Sequence, residues 1–356
     1  MSDLDNLFYG NDLIEVVAAL PKEVETLSGK RILIAGGGGF LGRYFLAIFD
    51  HLNEQVLDEP CQICILDNFK VANPTLVGTL GEWGETFAVD ICRDRLPEEH
   101  FDWIIHAAGI ASPYYYRAYP LETLEVATAG TQRLLERAKQ THAKFLYFSS
   151  SEIYGDPDPT HVPTLESYRG NVSTLGPRAC YDEGKRVGET YCYIYHDYYG
   201  VHTSIVRPFN VYGPGMQKSD YRVMPNFAAQ IAAEKPLMIY GDGRQTRTFC
   251  YIVDAMIGFF RVLLKGVPGE VYNIGNPNPE VSMNDLAAAF VKISPISVTV
   301  QATEYPDSYP ADEPMRRCPD IRKASLQLDY DPQVGLEEGV RRFLGWALPR
   351  YRTEDG

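Results

Sequence analysis

From Arg31 onward, short apolar runs rich in β-branched residues alternate with stretches whose apolar positions recur at helical spacing. RILIAG, CQICILDN, FDWIIHAA, KFLYFSS and HTSIVRPFN read as strands. Strands this apolar are buried on both faces, which predicts an α/β fold with a doubly wound parallel sheet covered by helices on either side. After Asn210 the pattern turns irregular, with many Pro, Gly and Tyr. That change predicts a smaller C-terminal substrate-binding lobe beside the sheet's C-terminal edge, where open α/β sheets bind ligands. The expected division is an N-terminal arm over 1–29, a sheet domain over 30–208, and the lobe over 209–350 with segments returning to the sheet. The arm carries one amphipathic pattern, NDLIEVVAAL, ended by LSGK, and no chemistry is assigned to it. There is no internal repeat and no low-complexity segment.

Composition narrows the class. The chain has 356 residues, 45% hydrophobic and 22% charged, as soluble globular proteins do. No apolar run approaches the roughly 20 residues of a membrane helix, and MSDLDNLFYG has no leader pattern, so a cytoplasmic protein is expected. A net charge of −14 disfavours nucleic acid or an anionic membrane as partner. An anionic substrate would require positive charge concentrated locally. The seven cysteines read as reduced thiols. Cys61 and Cys64 form a CxxC inside a strand pattern with no second ligand pair at metal spacing, so no metal is expected.

RILIAGGGGFLGRYFLAIF places Gly36, Gly39 and Gly42 between a strand and an amphipathic helix. One glycine makes the tight turn, one lets backbone approach a pyrophosphate, and one allows close helix–sheet packing. The next strand ends in Asp67, whose carboxylate accepts hydrogen bonds from a ribose diol and repels a 2′-phosphate, which favours NAD over NADP in a Rossmann-like domain. Phe40 and Leu41 in the turn, Asn68 beside Asp67, and Ala107 after the next apolar strand join the expected cofactor contacts. Asp90 and Ile91, in VDICRD, end a further strand; the acid faces either the adenine or solvent.

In RACYDEGKR, Tyr181 and Lys185 stand at i and i+4, on one helix face, so a phenol and an ammonium converge on one atom. A phenol with a pKa of about 10 is too weakly acidic to serve as a base at neutral pH unless a nearby cation lowers it. So tuned, it takes the proton of a sugar hydroxyl while a hydride leaves the same carbon for nicotinamide.

The glycine turn, HAAG at His106, SSSEIYGDP at Ser149, the Tyr181/Lys185 pair, RPFNVYGPG at Arg207 and YGDGRQTRTFCYIVD at Tyr240 occur in one order. With these motifs, spread over Lys30 to Trp346, the chain resembles the extended short-chain dehydrogenase/reductases of the NAD-dependent nucleotide-sugar epimerase/dehydratase family. Ser151 stands where that family's dehydratases carry an Asp, and Glu152 where simple 4-epimerases carry a small residue. SSSEIYGDP with GPRACYDEGKR is most similar to the UDP-glucuronate decarboxylases, as are PDIRKA at Pro319 and LEEG at Leu336. The resemblance implies C4 oxidation of a UDP-linked uronate, loss of carbon dioxide from the β-keto acid, and return of the hydride. It implies Tyr181 as base, Lys185 as the residue that orients the nicotinamide ribose and lowers the tyrosine's pKa, and Ser150 as a partner of the C4 oxygen. Glu152 would handle the proton at the sugar ring, unless it is a structural carboxylate at the strand end. Ser151, Asn210, Arg222 and Arg247 would contact substrate, the arginines binding the diphosphate by their forked donors unless they are surface ion-pair partners. A homodimer is implied too, pairing the helix after Pro120 with the one carrying Tyr181.

Two positions depart from that pattern. Glu122 stands where the decarboxylases carry a lysine that contacts substrate, and Ala127 replaces the usual asparagine before the GT pair. A carboxylate facing the sugar would repel a uronate. Two alternatives therefore stay open: a 4-epimerase or another C4-oxidising nucleotide-sugar enzyme, and a non-catalytic NAD-binding sensor. The intact Tyr181/Lys185 pair argues against the sensor.

Overall fold

In β1 (Arg31–Ala35), Ile32 and Ile34 belong to one apolar cluster, and Leu33 and Ala35 to another. A strand buried on both faces needs a layer on each. In the computed structural model, which describes residues 7–77, 81–304 and 314–353, helices supply both layers. Phe45 and Phe49 of α2 (Phe40–Gln55) meet Phe260 of a helix over Ile252–Lys265 on one face. Leu134, Leu135 and Ala138, from the helix Thr131–Thr141, pack with Cys192 and Tyr195 on the other.

The sheet has seven parallel strands. From one edge they are Val271–Ile274, β6 (Thr203–Pro208), β5 (Lys144–Phe148), β4 (Trp103–His106), β1, β2 (Gln62–Asp67) and β3 (Gly84–Ala88). All five strands expected from the apolar runs are present. The order reverses between β1 and β4, paired Ala35 to His106, so the crevice at their C-terminal ends is a topological switch point. The edge strand Val271–Ile274 lies well past Asn210, so the chain returns to the sheet after building much of the lobe.

The lobe contains a helix over Val223–Ala232, paired strands Leu237–Tyr240 and Val300–Thr303, and a long helix over Leu336–Thr353. The N-terminal arm is tied to it, although residues 1–6 of the arm lie outside the described residues. Asp12 is fully buried, accepts from Tyr251 Oη at 2.6 Å and pairs with Arg342 at 2.8 Å. Leu7 and Val16 are buried in the core shared by lobe and sheet.

Candidate active site

Gly36 has φ of +86°, and a Cβ there would lie 2.5 Å from the backbone nitrogen of Ala108. Only glycine suits that position. At Gly42 a Cβ would lie 2.2 Å from Gly36 O, so this glycine sets the approach of helix and turn. The turn opens α2 at Gly39 without a side-chain cap, leaving N–H groups directed at the crevice. Asp67 closes β2 and accepts from the N–H groups of Gly38 (3.0 Å) and Phe69 (2.9 Å). Each carboxylate oxygen keeps a lone pair for a ribose hydroxyl. Of the expected cofactor contacts, Gly36, Gly39, Phe40, Asp67, Asn68, Asp90, Ile91 and Ala107 line a cavity of about 210 Å³ along this crevice. Leu41, Gly42, Tyr181 and Lys185, also expected there, do not line it. A glycine cradle, an uncapped helix terminus and an acid at the end of β2 fit a dinucleotide.

Tyr181 and Lys185 lie in α3 (Ala179–Tyr199), both buried. Gly188 lets this helix approach β5, because a Cβ there would lie 2.0 Å from Tyr147 Oη. Gly184 faces Ala127, whose methyl lies 3.2 Å from where a Cβ would stand. Ala127 thus packs against the helix that carries the tyrosine. Lys185 Nζ donates to Phe148 O at 2.6 Å, and burial lowers its pKa to about 8. Burial raises the Tyr181 phenol to about 12, opposed by a hydrogen bond with Ser150 and by the charge of Arg222. The Lys185 ammonium lies 5.9 Å from the Tyr181 ring centroid and is held by the carbonyl of Phe148.

Beyond Tyr181 lies a second cavity, of about 660 Å³. Five arginines line it, Arg117, Arg178, Arg222, Arg247 and Arg317, against one carboxylate, Glu152. Glu152 accepts both Nη atoms of Arg317, at 2.6 and 2.8 Å, and a bond from Arg178. Burial pushes its pKa up, but Arg178, Arg317 and Arg247 outweigh burial and hold it well below the ordinary carboxylate range. At an effective dielectric constant of about 20, a charge pair 4 Å apart is worth about 4 kcal/mol, so two close guanidiniums suffice. Asp182, beside Arg178, is pushed the other way by burial and by the charge of Glu152.

Asn210 lines the second cavity at φ +41° and donates to Thr248 O at 2.8 Å. Arg222 lines both cavities and pairs with Asp220, its Nε 3.0 Å from the carboxylate. Arg247 is buried and donates to Thr246 O at 2.8 Å. Ser150 caps the turn that carries Glu152, accepting its N–H at 3.2 Å. Ser151 is buried and lines neither cavity. Glu122 lines the cofactor cavity, paired with Lys70, and not the second one. The condition for repelling a uronate, a carboxylate facing the substrate cavity, is not met by this placement.

Arg178 and Arg317 were not singled out from sequence. Arg178 stands three residues before Tyr181, a spacing that places both on one helical face and was legible. Arg317 lies two residues before PDIRKA and reaches Glu152 only through the fold. Among the described residues, no group of three or more His, Cys, Asp or Glu is placed to hold a metal, and no helix is long and apolar enough to cross a membrane.

A dinucleotide crevice that shares Arg222 and Met216 with a cationic cavity holding a buried tyrosine defines an NAD-dependent enzyme of sugar nucleotides, and the chain belongs to the NAD dependent epimerase/dehydratase family, whose model matches residues 32–275. Within it, the chain is 37% identical to UDP-glucuronic acid decarboxylase 1 of Arabidopsis thaliana over 91% of this chain and 71% of that one. UDP-glucuronic acid decarboxylase 6 of the same plant is also 37% identical, over 88% and 87%. Among solved structures, an epimerase from Methanothermobacter thermautotrophicus aligns with TM-score 0.78 at 27% identity, covering 93% of this chain and 96% of that one. The UDP-glucuronic acid 4-epimerase of Bacillus cereus, solved with UDP-glucuronic acid and NAD, aligns with TM-score 0.74 at 27% identity, over 89% and 98%.

Proposed function

We propose that this protein converts UDP-glucuronate to UDP-xylose, oxidising C4 transiently with NAD. The observation that carries this reading is the imbalance of five arginines to one carboxylate around the cavity beside Tyr181. UDP-glucuronate brings a diphosphate and a carboxylate, and a chain of net charge −14 needs such a concentration of cations to hold them. When bound, NAD accepts the hydride from C4 and later returns it. Tyr181 takes the C4 hydroxyl proton, the rise that burial imposes on its phenol being countered by Arg222, Lys185 and the charge of bound NAD, with Ser150 hydrogen-bonded to the same phenol. The ketone then stands β to the carboxylate. Breaking the C5–C6 bond releases carbon dioxide and leaves its electron pair as an enolate, which Tyr181 and Ser150 stabilise by hydrogen bonding at O4. A solvent proton takes the place of the lost carboxylate at C5, and Tyr181 gives its proton back to O4 when the hydride returns.

Glu152, held ionised by its arginines, is not a ready proton donor. We assign it to fixing Arg178 and Arg317 toward the substrate rather than to proton transfer at the ring. Lys185 is assigned to the nicotinamide ribose, and Asn210, Arg222 and Arg247 to the nucleotide diphosphate. An acid facing the sugar with no cation near C6 would favour the epimerase alternative; Glu122 lines the cofactor cavity and arginines line the one beside Tyr181, which supports decarboxylation. We also assign a homodimer, formed through the helices on which Leu121 (70% exposed) and Tyr193 (56%) stand bare.

Incubation of the protein with NAD and UDP-glucuronate tests the reading. Carbon dioxide release with a UDP-pentose product is expected. A product of unchanged mass and altered retention would replace it with epimerisation.

A further inference from the structure

The side chain that follows the third glycine of the turn is an arginine. Arg43, in the first turn of α2, is 7% exposed and lines the cofactor cavity beside Gly39 and Phe40. Among the described residues, its one side-chain hydrogen bond runs from Nη2 to Gly215 O, at 2.6 Å. No carboxylate among the described residues pairs with it, and its Nε has no partner. Three other buried arginines are built differently: Arg178 and Arg317 hold Glu152, and Arg207 holds Glu189 at 2.6 Å. Burying a guanidinium without a counter-charge costs several kcal/mol, so such a group is expected to face an anion that arrives from outside the chain.

The anion is defined by the place. The cavity runs along the glycine turn and the uncapped N-terminus of α2, where a dinucleotide's pyrophosphate is received by backbone N–H groups. Those groups supply partial charges alone, while a guanidinium supplies a full charge and forked donors. We propose that Arg43 is a ligand of the cofactor's pyrophosphate and that, through Gly215, it ties the lobe's 213–216 loop to the bound dinucleotide. The loop is itself seated from below. Tyr44 Oη lies 2.8 Å from Pro214 O and 3.2 Å from Leu7 O, so the N-terminal arm backs the same contact. Met216, next to Gly215, lines both cavities, which places the tie where cofactor and sugar meet.

Titration calorimetry on the purified full chain tests this with NAD, ADP-ribose and UDP, for the parent protein, Arg43→Gln and Arg43→Lys. Glutamine keeps a donor for Gly215 O and removes the charge. The expected result is NAD and ADP-ribose binding roughly tenfold to hundredfold weaker in Arg43→Gln, partly recovered in Arg43→Lys. UDP affinity and melting temperature should stay at parent values. NAD affinity within about twofold of the parent would overturn the proposal. So would a parallel fall in UDP affinity and melting temperature, which would make Arg43 a strut for the loop.

Discussion

The cofactor cavity draws its most telling features from short stretches of chain at the ends of β1 and β2, and uses mainly backbone: three glycines, an uncapped helix terminus and the carboxylate of Asp67. The substrate cavity draws on Glu152, Arg178, Arg222, Arg247 and Arg317, from five separate segments, and works through side-chain charge. The contrast follows from the ligands. A pyrophosphate beside a helix N-terminus is received first by N–H groups whose positions the turn already fixes. A sugar that must lose a carboxylate needs full charges placed around one carbon, and no single turn delivers them. Tyr181 lines the substrate cavity, and Ala111, Met216 and Arg222 line both.

The comparison breaks most sharply at Tyr181. Tyr181→Phe removes the base and leaves both cavities in place, so turnover should fall about 10²–10⁴-fold while NAD and UDP affinities hold. A loss under tenfold would place the base elsewhere.

Glu152→Gln attacks the substrate side alone. It leaves Arg178 and Arg317 without their shared carboxylate, and a broken buried pair costs about 3–5 kcal/mol. Denaturant unfolding should show that loss. Because the folded carboxylate titrates below its ordinary 4.5, its stabilisation is complete above that pH and declines as pH falls below it. The acid limb of the stability profile should therefore flatten in Glu152→Gln, and an unchanged limb would refute the pairing.

Gly36→Ala attacks the cofactor side alone. The positive φ costs on the order of 1–3 kcal/mol, and the methyl meets Ala108 N, so NAD should bind at least tenfold more weakly with UDP binding intact. Equal loss of both ligands would show that the cavities are not independent.

The smallest effect is expected from Glu122→Lys, which restores the lysine found in the decarboxylases. Glu122 faces the cofactor cavity, so the KM for UDP-glucuronate should change by less than about twofold. A larger change would place position 122 within reach of the sugar.

Legibility followed the same divide. β-Branched runs, the glycine spacing, Asp67 and the Tyr181/Lys185 pair are local patterns, and each could be read because its physical requirement is met within one element. The direction of the Lys185 ammonium was hidden because i, i+4 spacing fixes a shared face and not the group that captures the ammonium, which is Phe148 O. Which cavity Glu122 lines was hidden too, because a helix position does not state it. The arm's attachment was hidden as well, since Asp12 and Arg342 lie at opposite ends of the chain.

By itself the sequence determined the layered sheet, the dinucleotide turn and the tyrosine, since strand burial, glycine conformation and helical spacing act over a few residues. Tertiary structure alone decided which arginines surround Glu152, because charges far apart in sequence act on one another only when the fold brings them within a few ångströms in a site of low dielectric.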